Sequence, residues 1–226
     1  EKIPFIRQGA GKGFSIEANP ALCDAVKEKI SSDPDISIEN FAVTNRKEIV
    51  DFYINNFNTA WSSVFNDIEA EDNGSKIQVQ RKKLDEIIRS FGDIQPEYIK
   101  IDIEGMGTVT LNHLAEAEIY PAYISIENGM PKDLSTLHNM GYKISNFQIK
   151  DITISRQSPE FAHGEIINHK FLSGSSGLFG EDIRGGWFDF EKASKIPTVL
   201  REGRKTAPNN LFADAIGWLD LHAKHK

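Results

Sequence analysis

The sequence predicts an α/β fold, with a central, mostly parallel sheet and helices on both faces. Two observations carry that expectation. Strand-like and helix-like patterns alternate through about residue 154, and each intervening helix returns the chain so that successive strands run parallel. The segment Tyr98-Ile99-Lys100-Ile101-Asp102-Ile103-Glu104-Gly105 reads as a buried parallel strand that ends in two acids and a glycine. Acids there are costly to desolvate unless they bind something, and in open α/β sheets that edge is where ligands sit. The plainer alternative is an acid that only caps the next helix.

The elements follow in order. Phe14-Ser15-Ile16-Glu17 is a short strand, and Asn19-Pro20 opens a helix through Ile30, with proline in the first turn where its missing N–H costs nothing. Ile36 to Val43 and Ile49 to Ile54 are strands rich in β-branched and aromatic residues. Asp72-Asn73-Gly74-Ser75 is a turn, and Ile77 to Gln80 an exposed strand. A helix from Leu84 to Phe91 stops at Gly92. Beyond the strand Tyr98–Asp102 come a helix over Thr108–Ala117, a strand over Ala122–Glu127, and a helix over Leu134–Met140 closed by Gly141. Strands near Tyr142–Phe147 and Ile152–Ile154 complete a core domain of residues 1–155.

Residues 156–226 read as a loop-rich extension packed on the same domain, regular again only near Asn210 to Ala223. Phe161, Phe171, Phe179, Trp187, Phe188 and Phe190 have no place in a solvated tether, so this segment is expected to cover the active edge. Ser173 to Gly177, dense in small residues, is the expected acceptor-site lid.

Composition narrows the function classes. A chain of 226 residues, 39% hydrophobic and 26% charged, suits one α/β domain with a modest extension. A formal charge of −7 without a basic stripe argues against nucleic acid and acidic membranes as partners. No apolar run approaches the ~20 residues of a membrane span, and no signal peptide opens the chain. The single cysteine, Cys23, suits a reducing, cytoplasmic setting and belongs on a helix face, inert. A small-molecule or carbohydrate partner is the expectation that remains.

Among candidate site residues, Glu17 ends a strand, where an acid can accept hydrogen bonds from both hydroxyls of a ribose. Asn19 caps the following helix and stands beside the same site. The run Gly9-Ala10-Gly11-Lys12-Gly13 is glycine-rich, but a dinucleotide fold places about 20 residues between glycine turn and acid. Gly13 and Glu17 are four positions apart, so no helix fits between them. Gly9 and Gly11 therefore form either a flexible loop or a displaced cofactor cradle. Asp102 is the expected catalytic group, with Glu104 and Glu127 in support. The histidines His163, His169 and His222 are expected to be structural; on a helix, Asp220 and His222 would not share a face. No metal ligand set is expected, since no histidine or cysteine pair has zinc spacing.

Several of these elements resemble the FkbM-type methyltransferases. Ser15-Ile16-Glu17-Ala18-Asn19-Pro20 is similar to that family's "EPNP" element, Asn40-Phe41-Ala42-Val43 to its third strand, and Leu84-Asp85-Glu86-Ile87-Ile88 to its helix before the central strand. Ile99 to Gly105 resembles its "LKIDVEG" hallmark, and Pro121 to Glu127 the strand after it. The likeness covers about residues 14–150. It implies a Rossmann-like fold and S-adenosylmethionine as cofactor, held by Glu17, Asn19, Ala42, Asp102 and the glycines Gly9 and Gly11, with methyl transfer most often to oxygen. Two features depart from the family: its first strand and glycine motif are missing or displaced, and Met106-Gly107 stands where a second acid is usual.

Two other readings compete. Asp102-Ile103-Glu104 is also an acid-x-acid pair of the kind that holds a divalent ion in nucleotide-sugar transferases, for which metal-dependent binding is the discriminating test. A noncatalytic binding module on a methyltransferase-like fold is the other, separated by whether S-adenosylmethionine binds.

Overall fold

The computed structural model describes residues 11–46, 48–56, 59–65, 74–92, 94–129, 131–149, 178–183, 186–196 and 219–225. They fall into two compact units: Lys2–Ile94 with Ile103–His113, and Gln95–Asp102 with Leu114–Lys226.

In the first unit, β1 (Gly13–Ile16) pairs in parallel with β2 (Ile36–Glu39), joined by α1 (Pro20–Ile30). Asn19 caps that helix, its side-chain oxygen accepting the Ala21 N–H at 3.0 Å, so the cap and the first-turn proline start it as read from the sequence. Cys23, Ile30, Ile36 and Ile38 close a small apolar cluster between helix and strand. Burial pushes the Cys23 thiol above its ordinary range, so it is held as a neutral thiol.

The strand expected over Ile36–Val43 is two strands in two sheets. After β2 the chain leaves the pair, and β3 (Ala42–Val43) joins β5 (Gly74–Lys82), which pairs antiparallel with β4 (Ile49–Asn55). Asn40 is the reason for the break. Its amide donates to the carbonyls of Glu17 at 2.8 Å and Ala18 at 2.9 Å, fixing the chain where the ladder would otherwise continue. Ala42, Val50, Phe52, Val64, Val79 and Met106 form this unit's second apolar core. Helix α2 (Leu84–Ser90) ends at Gly92, with φ +96°.

In the second unit, five strands lie in the order β6 (Tyr98–Ile101), β7 (Tyr123–Glu127), β10 (Leu219–His225), β8 (Tyr142–Ile149) and β9 (Phe188–Asp189). β6 and β7 pair in parallel and β8 runs in their direction; β10 enters antiparallel between β7 and β8, and β9 is antiparallel to β8. The expected single, mostly parallel sheet is thus replaced, among the described residues, by three smaller sheets: one parallel pair and two that mix parallel and antiparallel pairing. A parallel neighbour requires a crossover, whereas a late strand can insert antiparallel at no such cost in chain length. Helices α3 (Gly107–Glu116), α4 (Pro131–Asn139) and the short α5 (Phe190–Ala193) complete the elements.

β10 corrects the reading of the chain's end. Leu219-Asp220-Leu221-His222-Ala223 has period 2 rather than 3.6, so Leu221 and Ala223 face one side while Asp220 and His222 share the other. The part of the extension that forms β10 is a central strand of the five-stranded sheet.

Candidate functional site

The signature segment supplies a strand and then a turn. Tyr98–Ile101 is β6, Asp102 stands just past its carboxyl end, and 104–106 turn into α3. Gly105 has φ +71°, and a Cβ built on it would lie 2.7 Å from the Phe65 ring. Both facts require glycine: the left-handed backbone is strained for other residues, and a methyl group would strike the ring. Ser63 donates its hydroxyl to the Glu104 carbonyl at 3.3 Å, and Met106 is 2% exposed in the apolar core. The Met106-Gly107 departure therefore has a packing role, since Met106 anchors the start of α3.

Glu127 ends β7 and follows Ile126 as Asp102 follows its parallel partner Ile101. Asp102 and Glu127 thus stand at the carboxyl ends of adjacent parallel strands, as the sequence predicts. Asn128 after Glu127 adopts φ +50°, and its N–H donates to Leu219.

In the other unit, Glu17 follows β1. Its carboxylate accepts the Asn19 N–H at 2.8 Å. Burial raises its pKa above the ordinary 4.5, with the backbone N–H groups of Asn19 and Ala18 opposing the shift. Its main chain is fixed as well, by Glu39 and Asn40. Asn19 is buried and occupied as the helix cap, and the Ala42 side chain is packed in the apolar core. Gly11 is an exposed bend before β1; Gly9, His163, His169 and the Ser173–Gly177 segment lie outside the described residues. The described residues adjoining that segment pack at the amino ends of the strands: Phe179 stacks on Tyr98 at 4.3 Å, and Glu181 accepts the Tyr123 hydroxyl at 2.8 Å and pairs with Lys224.

Beneath Asp102 and Glu127 runs a buried polar row. The registers align Lys100 with Ser125, Ser125 with His222, and His222 with Asn146, one residue from each of four adjacent strands. The Lys100 side chain is 1% exposed and the Asp220 side chain fully buried, with Nζ 2.8 Å from Oδ2 in an ion pair rather than an aligned hydrogen bond. The same Nζ lies 3.8 Å from Oδ2 of Asp102, whose side chain is 38% exposed. Ser125 Oγ and His222 Nδ1 share a 2.6 Å hydrogen bond, the Tyr98 hydroxyl also bonds Ser125, and the Asn146 amide donates to the Gly186 carbonyl at 2.9 Å. Burial and the nearby Lys100 charge lower the His222 pKa from 6.5 to about 3, so the imidazole is neutral at physiological pH. A lysine inside an otherwise apolar strand, and polar residues at every second position of β10, are the signals that could have found this row.

Among the described residues no group of three or more His, Cys, Asp or Glu side chains is placed to hold a metal ion, and no helix is long and apolar enough to cross a membrane. The family model of the methyltransferase FkbM domain matches residues 3–169, well over half of the chain. The chain belongs to the FkbM methyltransferase family, and the acid–glycine turn at Asp102–Gly105 and the Glu17 strand end lie within the matched region. Comparison with curated proteins and with solved structures gave no match.

Proposed function

We propose that the protein transfers a methyl group from S-adenosylmethionine to a hydroxyl oxygen of a small molecule or sugar. Family membership supports the methyl transfer, and the family implies this donor. The observation that carries the oxygen acceptor is Asp102, a carboxylate at the carboxyl end of β6, more than one-third exposed and therefore open to a substrate. A hydroxyl nucleophile must lose its proton as the new bond forms, and a carboxylate within hydrogen-bond reach can take it.

The residues present fit the donor at its ribose. Glu17 is an acid with two backbone N–H groups fixing its carboxylate, and a carboxylate keeps further lone pairs for a diol. The donor, when bound, supplies an electrophilic methyl group on a sulfonium. This chain's residues then take these roles: Glu17 accepts the ribose hydroxyls, Asp102 orients the acceptor and removes its proton, and Glu127 at the end of the adjacent strand adds negative charge beside Asp102.

Asp102→Asn tests the assignment. Transfer of labelled methyl groups to a panel of sugars and small hydroxyl compounds should fall by roughly 10²–10⁴-fold, the usual worth of a general base, while S-adenosylhomocysteine still binds. Turnover equal to wild type would remove Asp102 from the chemistry.

A further inference from the structure

We propose that Lys100 is a positioning residue for Asp102, with Asp220 as its buried counter-charge. The proposal rests on the reading of Asp102 as the acceptor-facing base. An ammonium is hard to bury, and one carboxylate in contact is enough to compensate it. Here two carboxylates from different strands converge on one Nζ: Asp220 of β10 at 2.8 Å and Asp102 at 3.8 Å. The first is wholly buried and the second reaches solvent, so the ammonium lies between a fixed internal anchor and an exposed working group. Its three protons can serve both.

The rest of the polar row lies level with Lys100 on the neighbouring strands. Lys100 is level with Ser125, which is tied to His222 and to Tyr98, and His222 is level with Asn146, tied to Gly186. A neutral His222 adds no competing positive charge beside Lys100. The registers put on this face Tyr98, Lys100 and Asp102 of β6 and the turn after it, Tyr123 and Glu127 of β7, and Asp220, His222 and Lys224 of β10. Lys100 supplies the positive charge that lies beside Asp102, and its attraction favours the carboxylate orientation that faces Nζ.

The double variant Lys100→Met/Asp220→Leu removes both buried charges at similar volume, a change that folds generally tolerate. Two readouts on the full chain then decide. Side-chain couplings measured by NMR should report one dominant χ1 rotamer for Asp102 in the wild type and rotamer averaging in the variant. Methyl transfer should lose roughly tenfold to a hundredfold in kcat, while affinity for S-adenosylhomocysteine changes less than threefold. If circular dichroism shows the variant unfolded, Lys100→Gln/Asp220→Asn keeps shape and hydrogen bonding and carries the same expectation. An unchanged Asp102 rotamer distribution in the folded variant overturns the proposal. Failure of the wild type to bind S-adenosylhomocysteine overturns the methyl-transfer reading instead, and the rotamer measurement still decides the role of Lys100.

Discussion

In the unit carrying β1 to β5, polar side chains stand at strand ends and helix caps; in the unit carrying β6 to β10, they run through the middle of the sheet. Glu17, Asn19 and Asn40 bond to backbone groups around one strand end, and the cores beside them are apolar. Lys100, Ser125, His222 and Asn146 instead form a buried row, while Ile101, Ile124, Ile126, Leu221 and Ala223 supply buried apolar groups of the same strands. A strand-end acid needs only local backbone donors. A mid-sheet charge needs a partner from another strand, so the second arrangement is far more sensitive to single substitutions.

Removing one half of the buried pair is the most direct way to break that contrast. Lys100→Met alone removes the cation that faces the buried Asp220 and should cost about 3–5 kcal/mol in denaturant unfolding at neutral pH. A loss below about 1 kcal/mol would mean the row is not held by charge. Gly105→Ala should cost less, about 2 kcal/mol, from a left-handed backbone and a methyl group against the Phe65 ring. If its unfolding midpoint matches wild type, the turn relaxes without strain.

A pH titration sharpens the comparison further. The folded His222 pKa lies at about 3, below the ordinary 6.5, so between those values the unfolded chain binds the extra proton. Stability should therefore be intact above about pH 6.5 and fall as pH drops toward 3, by up to about 1.4 kcal/mol per pH unit from this group. His222→Gln should flatten that limb of the curve by about one proton. An unaltered slope would show that the imidazole is protonated in the folded state.

Much of this was legible in the sequence, for definite reasons. The Asn19-Pro20 start of α1, the Gly92 and Gly141 stops and the Tyr98–Gly105 strand and turn rest on local signals, and the structure follows them. Pairing partners rest on long-range contacts, which a local pattern does not carry. So β2 and β3 were read as one strand because nothing local reveals that the Asn40 amide reaches back to Glu17 and Ala18. Asp102 and Glu127 were recognisable because each ends an apolar run. Lys100 and His222 were not, because their partners Asp220 and Ser125 come from other strands. The period-2 pattern of residues 219–223 is present in the sequence, and only as a strand does it bring Asp220 and His222 to a shared face.

If the strand-end acids of this chain serve a bound methyl donor, loss of the Glu17 carboxylate must weaken that donor's binding. Titration calorimetry with S-adenosylhomocysteine should give saturable binding to the wild type. Glu17→Ala should weaken it by roughly ten- to a hundredfold, the ~1.5–3 kcal/mol of a hydrogen bond to a charged acceptor. Glu17→Gln separates binding from folding. Because burial raises the Glu17 pKa, its ionised form is disfavoured in the folded protein and its contribution to stability falls as pH rises above 4.5; the neutral amide should leave stability at pH 7 unchanged or higher while still weakening the ligand. Equal affinity in all three proteins, or no binding to the wild type, would show that Glu17 does not hold a methyl donor.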